Sequence, residues 1–163
     1  MPTWQRTGLG SDFSDSTLNI IKDYIKSQWT LTGDLDATNP GKMKWGTGWY
    51  DAQPWVQLHF RTSYKSERAK SIGQNYIHRY DDFIIIHVFV ETQTDNVEPA
   101  QLDKIYRELD RIVGSNTVSL EASQGIQFMK FIQPMRTMPQ EANETSLWHG
   151  IGVLMIAYHK VYA

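Results

Sequence analysis

The sequence has no cysteine among its 163 residues. Disulfide bonds, thiol catalysis and cysteine-ligated zinc are therefore excluded. Long hydrophobic runs are also lacking, because the longest, residues 83–90, is too short to cross a bilayer, and residues 1–6 do not form the apolar core of a signal peptide. We therefore expect a chain that is made in the cytoplasm and does not span a membrane.

A large charge of one sign is missing as well. Lysine and arginine number 16 against 18 acidic residues, which gives a formal net charge of -2. The chain thus has no global basic field that would hold nucleic acid, and any DNA contact would have to be local or brief. A chain of this length can bury roughly two thirds of its unfolded surface without covalent staples, so we expect one domain over residues 1–163, with residues 1–13 as an N-terminal arm.

Aromatic residues, in contrast, are abundant, with 6 Trp, 8 Tyr and 6 Phe. Four of them, Trp45, Trp49, Tyr50 and Trp55, are close together in or beside residues 30–54. Several glycines and prolines in that segment predict a long loop or a loose hairpin. Large rings outside regular elements are enriched at interfaces, so these four residues are candidates for partner contact. The alternative is that they cover an open face of the sheet.

Hydrophobic spacing predicts two amphipathic helices. The first covers Leu18 to Trp29, where apolar residues recur at three- and four-residue intervals after possible N-caps in residues 14–17. The second follows Pro99, which suits a first helical turn. Its predicted buried stripe consists of Leu102, Ile105, Leu109, Ile112 and Val113.

Four longer strands are predicted around these helices. Residues 55–62 alternate as a half-buried strand, whereas residues 83–90 are apolar on both faces and indicate a central strand. Residues 126–132, which Pro134 should end, and residues 147–158 complete the set. The predicted fold is a single α+β domain, mainly an antiparallel β-sheet packed against two amphipathic helices.

The segment between the first two strands is polar and basic. Lys65, Arg68 and Lys70 lie in residues 63–75, which we interpret as an exposed turn or a short helix. Residues 76–80 could form a short strand, and Asp81 with Asp82 suggests a turn before the central strand. The same residues 76–80 are also the nearest match to an RNA-binding sheet, but they lack the glycine and phenylalanine pattern of such motifs.

Candidate chemistry centres on His87 and Glu91, because residues four apart in a strand share a face. A zinc site would need a third ligand from His59 or His159, whose register the sequence does not give. Gly46 and Gly48 precede a strand rather than a helix, which is the wrong context for a phosphate loop. We therefore predict no catalytic residues, no metal and no cofactor.

With its elements in order, the chain resembles the tail-terminator and tail-completion (neck) proteins of long-tailed bacteriophages and related archaeal viruses. The resemblance consists of a first amphipathic helix, a strongly apolar strand that leads into a second helix, and two final strands. It begins at about Ser14 and includes no diagnostic motif, and residues 30–54 have no counterpart in it.

The resemblance implies a virion structural protein, made in the host cytoplasm, that forms a ring at the head-proximal end of the tail. It implies that the ring is a homo-oligomer, specifically a hexamer, and that its partners are the tail-tube and head-connector proteins. DNA would pass through the lumen of the ring as cargo. Trp45, Trp49, Tyr50, Trp55, Lys65, Arg68 and Lys70 are the candidate contact residues. The alternative is a small enzyme or ligand-binding domain with a site near His87 and Glu91.

Overall fold

The computed structural model describes residues 4–5, 16–49, 54–70, 76–92, 99–115, 126–139 and 146–162. Tyr50 and most of the predicted N-terminal arm lie outside the described residues. The elements in chain order are β1 (Trp4–Gln5), α1 (Ser16–Ser27), a short 3-10 helix (Gly33–Leu35), β2 (Met43–Gly46), β3 (Val56–Lys70), β4 (Tyr76–Glu91), α2 (Ala100–Ser115), β5 (Ile126–Thr137) and β6 (Leu147–Tyr162). The predicted α+β fold is confirmed.

One sheet contains all six described strands, in the order β1-β6-β4-β3-β2, with β5 also paired to β6. β4 is central, as the sequence predicts, and is antiparallel to both β3 and β6. Its pairing with β6 is unbroken from Tyr76 opposite Tyr162 to Glu91 opposite Leu147. β2 is parallel to β3, whereas the other described pairings are antiparallel.

The hydrophobic core lies between the two helices and one face of the sheet, which we call the helix face. On β4 this face consists of Ile84, Ile86, Val88 and Val90, all of which are buried. The predicted stripe of α2 is also confirmed, because its five apolar residues are buried in the same cluster. Burial of aliphatic side chains from both layers is the main source of stability here. No helix in the described part of the chain is both long and apolar enough to cross a membrane.

A polar cluster joins the two helices at one edge of this core. The buried carboxylate of Glu108 accepts bonds from the backbone N–H and the hydroxyl of Thr30, at 2.6 and 2.9 Å. Arg111 binds both carboxylate oxygens, at 3.0 and 2.7 Å, and also donates to the carbonyl oxygen of Gln28. The Arg111 side chain, together with the Thr30 bonds, holds the pKa of Glu108 below its usual range.

A glycine in β6 makes room for an aromatic ring from α2. A Cβ atom at Gly150 would lie 2.7 Å from the Tyr106 ring, which is closer than real Cβ contacts. The Tyr106 hydroxyl is hydrogen-bonded to the Thr137 hydroxyl at 3.0 Å, which links α2 to β5. The absence of a side chain at Gly150 therefore fixes how closely α2 approaches the sheet.

Several predicted boundaries are wrong. β3 continues to Lys70 and β4 begins at Tyr76, so the polar segment with Lys65, Arg68 and Lys70 is mostly strand rather than a turn or helix. Asp81 and Asp82 are buried inside β4 and do not form a turn. Backbone pairing with β3 and β6 continues past the apolar residues, whereas the hydrophobic pattern marks only the part of a strand that the core covers.

Two further expectations also fail. β5 passes through Pro134 to Thr137, with register shifts on both sides of Gln133. Proline is tolerated there because β5 is an edge strand with irregular pairing. The segment of residues 30–54, which was expected to be a loop, contains the 3-10 helix and β2. β2 forms because its parallel pairing with β3 provides hydrogen-bond partners for its backbone.

Candidate functional site on the opposite face of the sheet

The face of the sheet opposite the helices buries polar rings instead of aliphatic chains. Successive strand residues project to opposite faces, so Gln57, His59, His87 and Phe89 lie on this side. His59 is 2% exposed and His87 is 6% exposed, and Gln57 and Phe89 are buried as well. The prediction that this face of β3 is open is therefore wrong at Gln57 and His59, whereas Trp55 and Arg61 on the same face are exposed.

Strand register brings three histidines together on three adjacent strands. His59 of β3 is directly opposite His87 of β4, and Phe89 of β4 is directly opposite His149 of β6. His149 is therefore diagonal to His87 on the same face. We call this group, His59, His87 and His149 with Gln57, Phe89 and Trp49, the histidine face.

Hydrogen bonds fix the orientation of His59. The side-chain nitrogen of Gln57 donates to the carbonyl oxygen of Pro54 at 2.9 Å, which leaves the amide oxygen of Gln57 facing Nε2 of His59 at 2.8 Å. Because that oxygen can only accept, His59 carries its proton on Nε2 in the neutral form. The ring packs against Gly46, where an added Cβ would lie 3.0 Å from Nδ1 of His59.

His87 and His149 form an imidazole pair. Nδ1 of His87 lies 2.9 Å from Nε2 of His149, so one of these nitrogens donates and the other accepts. Burial lowers the pKa of His87 to about 4, and charge on His149, Arg61 and His59 acts in the same direction. Burial also lowers the pKa of His149. The pair is therefore neutral at pH 7, and full protonation of both rings would place two N–H groups against each other.

Trp49 covers the pair from the solvent side while remaining half exposed. Its ring centre lies 4.7 Å from that of His87, 5.4 Å from Phe89 and 5.9 Å from His149, in edge contacts. The guanidinium carbon of Arg61 lies 5.2 Å from the Trp49 ring centre, within the range of a cation–π contact. With 52% of its surface exposed, Trp49 presents both a ring and a nearby cation to a partner.

The side chains of the histidine face can bind protons and make contacts with a partner. Among the described residues no group of three His, Asp or Glu side chains could hold a metal ion. His59 does neighbour His87, as the zinc alternative required, but Nε2 of His59 is bonded to Gln57. Glu91, the other half of the alternative site, lines a separate cavity of about 360 Å³ with Trp55 and Asp34.

The predicted partner residues are dispersed. Trp45 lies in β2 and packs into the core, with its ring stacked on Phe60 at 6.0 Å and edge-on to Trp29 at 5.0 Å. Trp55 is 39% exposed beside the cavity. The backbones of the basic candidates, Lys65, Arg68 and Lys70, lie along the far part of β3.

No protein-family model matches the chain, and no curated protein sequence matches it significantly. Function must therefore be argued from the geometry.

His149, Gln57 and Phe89 are the residues of the histidine face that the sequence did not mark as candidates, and His149 is the most informative of them. Its position next to the apolar residues of β6 gives no functional signal by itself. The useful clue would have been the alternation of residues along the strand, because His149, Ile151 and Val153 are two residues apart and therefore lie on the same face. Its pairing with His87 could still not be predicted without the register of β6 on β4.

Proposed function

We propose that the protein is a virion structural protein that forms a ring at the head-proximal end of a viral tail, as a tail terminator or in head–tail joining. It acts by assembly and not by catalysis. The resemblance in element order supports this proposal. The observation that carries it is that two strands on opposite sides of the sheet, β3 and β5, each have an outer edge without a strand partner among the described strands.

The first open edge belongs to β3. β2 pairs with residues 56–59 of β3, so residues 60–70 have no strand partner on their outer side among the described strands. At about 3.3 Å per residue this edge is roughly 35 Å long. Unpaired N–H and C=O groups along such an edge are a template for pairing with another chain.

The second open edge is β5, which pairs with β6 on one side only among the described strands. Both edges carry register shifts, at residues 62/64 and 67/69 in β3 and at 131/133 and 133/136 in β5. Such irregularities restrict pairing to an edge of matching shape. An edge of β3 that meets β5 of the next copy is a heterologous contact, and this type of contact generates a ring when the rotation between successive copies closes.

The remaining surfaces suit contacts above and below such a ring. Trp49 and Trp55 are the aromatic residues with substantial exposure on the described surface, and large rings commonly anchor interfaces. Under this proposal they contact tail-tube or head-connector proteins, and DNA passes through the lumen without being held. The hexameric stoichiometry rests on the family resemblance alone.

The experiment is size-exclusion chromatography with light scattering, followed by negative-stain imaging, on the purified protein with and without its tail-tube partner. We expect a ring-sized particle in at least one condition. A strict monomer at high concentration that also ignores the tail-tube partner would overturn the proposal.

The edge contact can be tested with matched proline variants of β3. Lys65 and Ser66 are successive residues in a regular part of the strand, so one backbone N–H is directed to β4 and the other to the open edge. Of the two variants Lys65→Pro and Ser66→Pro, one replaces the residue whose N–H is directed to the open edge. That variant should have a nearly unchanged melting temperature but should not assemble. If both Lys65→Pro and Ser66→Pro variants assemble normally, β3 is not a ring edge.

A further inference from the structure

We infer that a cavity at the outer edge of β2 is a binding site for a small organic anion whose charged group is attached to an apolar or aromatic body. The cavity has a volume of about 560 Å³ and shares no described lining residue with the cavity beside Glu91. We call it the lysine cavity, because Lys26 and Lys44 line it. The inference goes beyond the proposed ring and does not depend on it.

The lysine cavity lies along the edge of β2 that no described strand covers. β2 is the last strand on its side of the sheet, and β3 pairs with its other edge. Successive residues of a strand project to opposite faces, yet Met43, Lys44 and Trp45 all line the cavity. Lining residues from both faces place the cavity at the edge of the strand rather than over one face.

The charges that line the cavity have one sign. Lys26 comes from the last turn of α1 and Lys44 from β2, and no acidic side chain is among the described lining residues. Lys26 is exposed and makes no ion pair with another described residue. A lysine ammonium group donates hydrogen bonds and accepts none, so the charged group of a ligand must be an acceptor. This combination favours an anion.

The rest of the lining is mostly apolar. Ala37 and Met43 are buried, whereas Pro40 and Pro54 are at least partly exposed. Small-molecule sites are commonly clefts of roughly 300–1,000 Å³ with apolar walls and a few polar groups that orient the ligand. The lysine cavity has this composition, so we expect the apolar part of the anion to pack against the prolines and the methionine.

Trp45 connects the cavity to the core. Its ring is stacked on Phe60 at 6.0 Å and edge-on to Trp29 at 5.0 Å, and it is only partly buried. The same ring therefore has a fixed position in the fold and a place in the cavity wall. An aromatic ring held in this way provides a contact surface without a large loss of side-chain entropy when a ligand binds.

Local hydrogen bonds order the wall that precedes β2. The carboxylate of Asp36 accepts bonds from the backbone N–H and the hydroxyl of Thr38, at 2.9 and 2.8 Å. The side-chain oxygen of Asn39 accepts from the N–H of Gly41 at 3.0 Å, and its carbonyl oxygen accepts from the N–H of Met43 at 3.1 Å. Two donors thus compensate the charge of Asp36, and a wall ordered before binding loses little further freedom.

Each lysine also has a structural explanation. A cation in the last turn of a helix interacts favourably with the helix dipole, which applies to Lys26. Lysine on an edge strand hinders pairing with another chain, which applies to Lys44. The experiments therefore measure binding directly and compare ligands of different charge.

The first experiment titrates benzoate, benzyl alcohol and benzylammonium, which share a phenyl ring and differ in charge. Two-dimensional NMR follows the indole N–H signals, and the Trp45→Phe and Trp55→Phe variants identify two of them by their loss. We expect benzoate to shift the Trp45 signal and to bind at least about fivefold more tightly than the other two ligands. The signal of Trp55, which lines the cavity beside Glu91, should not move with benzoate.

Three results of the titration would overturn the inference. These are an unchanged Trp45 signal with benzoate, equal affinity for benzoate and benzyl alcohol, and tighter binding of benzylammonium at the Trp45 signal.

The second experiment locates the charges that bind the anion. The Lys26→Gln/Lys44→Gln variant should bind benzoate about fivefold more weakly and benzyl alcohol as the parent does, because only the charged contacts are lost. The matched control is Lys42→Gln/Lys104→Gln, which removes two exposed lysines from outside the lysine cavity and should bind benzoate within about twofold of the parent.

Thermal melts of both double variants check that the fold is intact, and the single variants Lys26→Gln and Lys44→Gln replace the first one if it does not fold. Unchanged benzoate affinity after loss of the cavity lysines would overturn the inference. An equal loss in both double variants would assign the binding to general charge and would overturn it as well.

Discussion

The two faces of the sheet bury their residues by different physical means. On the helix face, Ile84, Ile86 and Val88 are covered by aliphatic groups from α1 and α2. On the histidine face, His59 and His87 are covered to a similar extent, but each ring has a hydrogen bond to a polar neighbour. Buried apolar groups need only close packing, whereas buried polar groups need partners. The helix face should therefore determine stability at all pH values, and the histidine face should make stability depend on pH.

The largest expected effect comes from the helix face. Ile86→Ala and Leu109→Ala each remove methyl groups from fully buried positions on opposite sides of the contact between β4 and α2. Each variant should lower the free energy of unfolding by about 2–5 kcal/mol, because a cavity is left in a packed core. Chemical denaturation at pH 7 measures this. A loss under about 1 kcal/mol for both variants would show that this layer is not the main core.

The second prediction compares two tryptophans from the same aromatic stretch. Trp45→Ala should destabilise the fold by about 2–3 kcal/mol, since its ring packs on Phe60 and Trp29 at the margin of the core. Trp49→Ala should cost less than about 1 kcal/mol, because Trp49 is half exposed.

Thermal melts of the two tryptophan variants, with assembly measured in parallel, make the comparison. If Trp49→Ala unfolds as easily as Trp45→Ala, Trp49 is a structural cover of the histidine face and not a contact residue. If it melts normally but assembles poorly, its assignment to partner contact is supported.

The smallest predicted effect is the pH dependence of the histidine face. The folded pKa of His87 is lowered from 6.5 to about 4, so the unfolded chain binds more protons between these values. The contribution of His87 to stability should be complete above pH 6.5 and should decline as the pH falls towards 4. A loss on the order of 1–2 kcal/mol is expected over this window.

The control for this window is the His87→Gln/His149→Gln variant, whose stability should change by less than half as much between pH 6.5 and 4.5. Further loss as the pH falls below 4.5 is expected in both proteins, because the lowered pKa of Glu108 makes its contribution disappear only when that carboxylate is protonated. An unchanged pH profile in the double variant would assign the effect to other groups.

Hydrophobic spacing was sufficient to predict the elements that are amphipathic or continuously apolar. The stripe of α2, the central position of β4 and the α+β class could be predicted because hydrophobic spacing records which residues must leave water. The open edges of the sheet could not be predicted in this way, since an edge is defined by the neighbours that a strand lacks. The hydrophobic pattern also did not predict that β3 continues through residues 63–70, and it suggested only a short strand at residues 76–80 where β4 runs on without a break.

Which residues meet across strands depends on how the strands are arranged in the sheet. His87 and His149 are 62 positions apart and form a pair only because β6 lies beside β4 in one particular register. A shift of one residue would move each side chain to the other face of the sheet. Local pattern specifies the period of a strand, but long-range backbone pairing specifies its neighbours and its register, and the histidine face of this protein depends on that pairing.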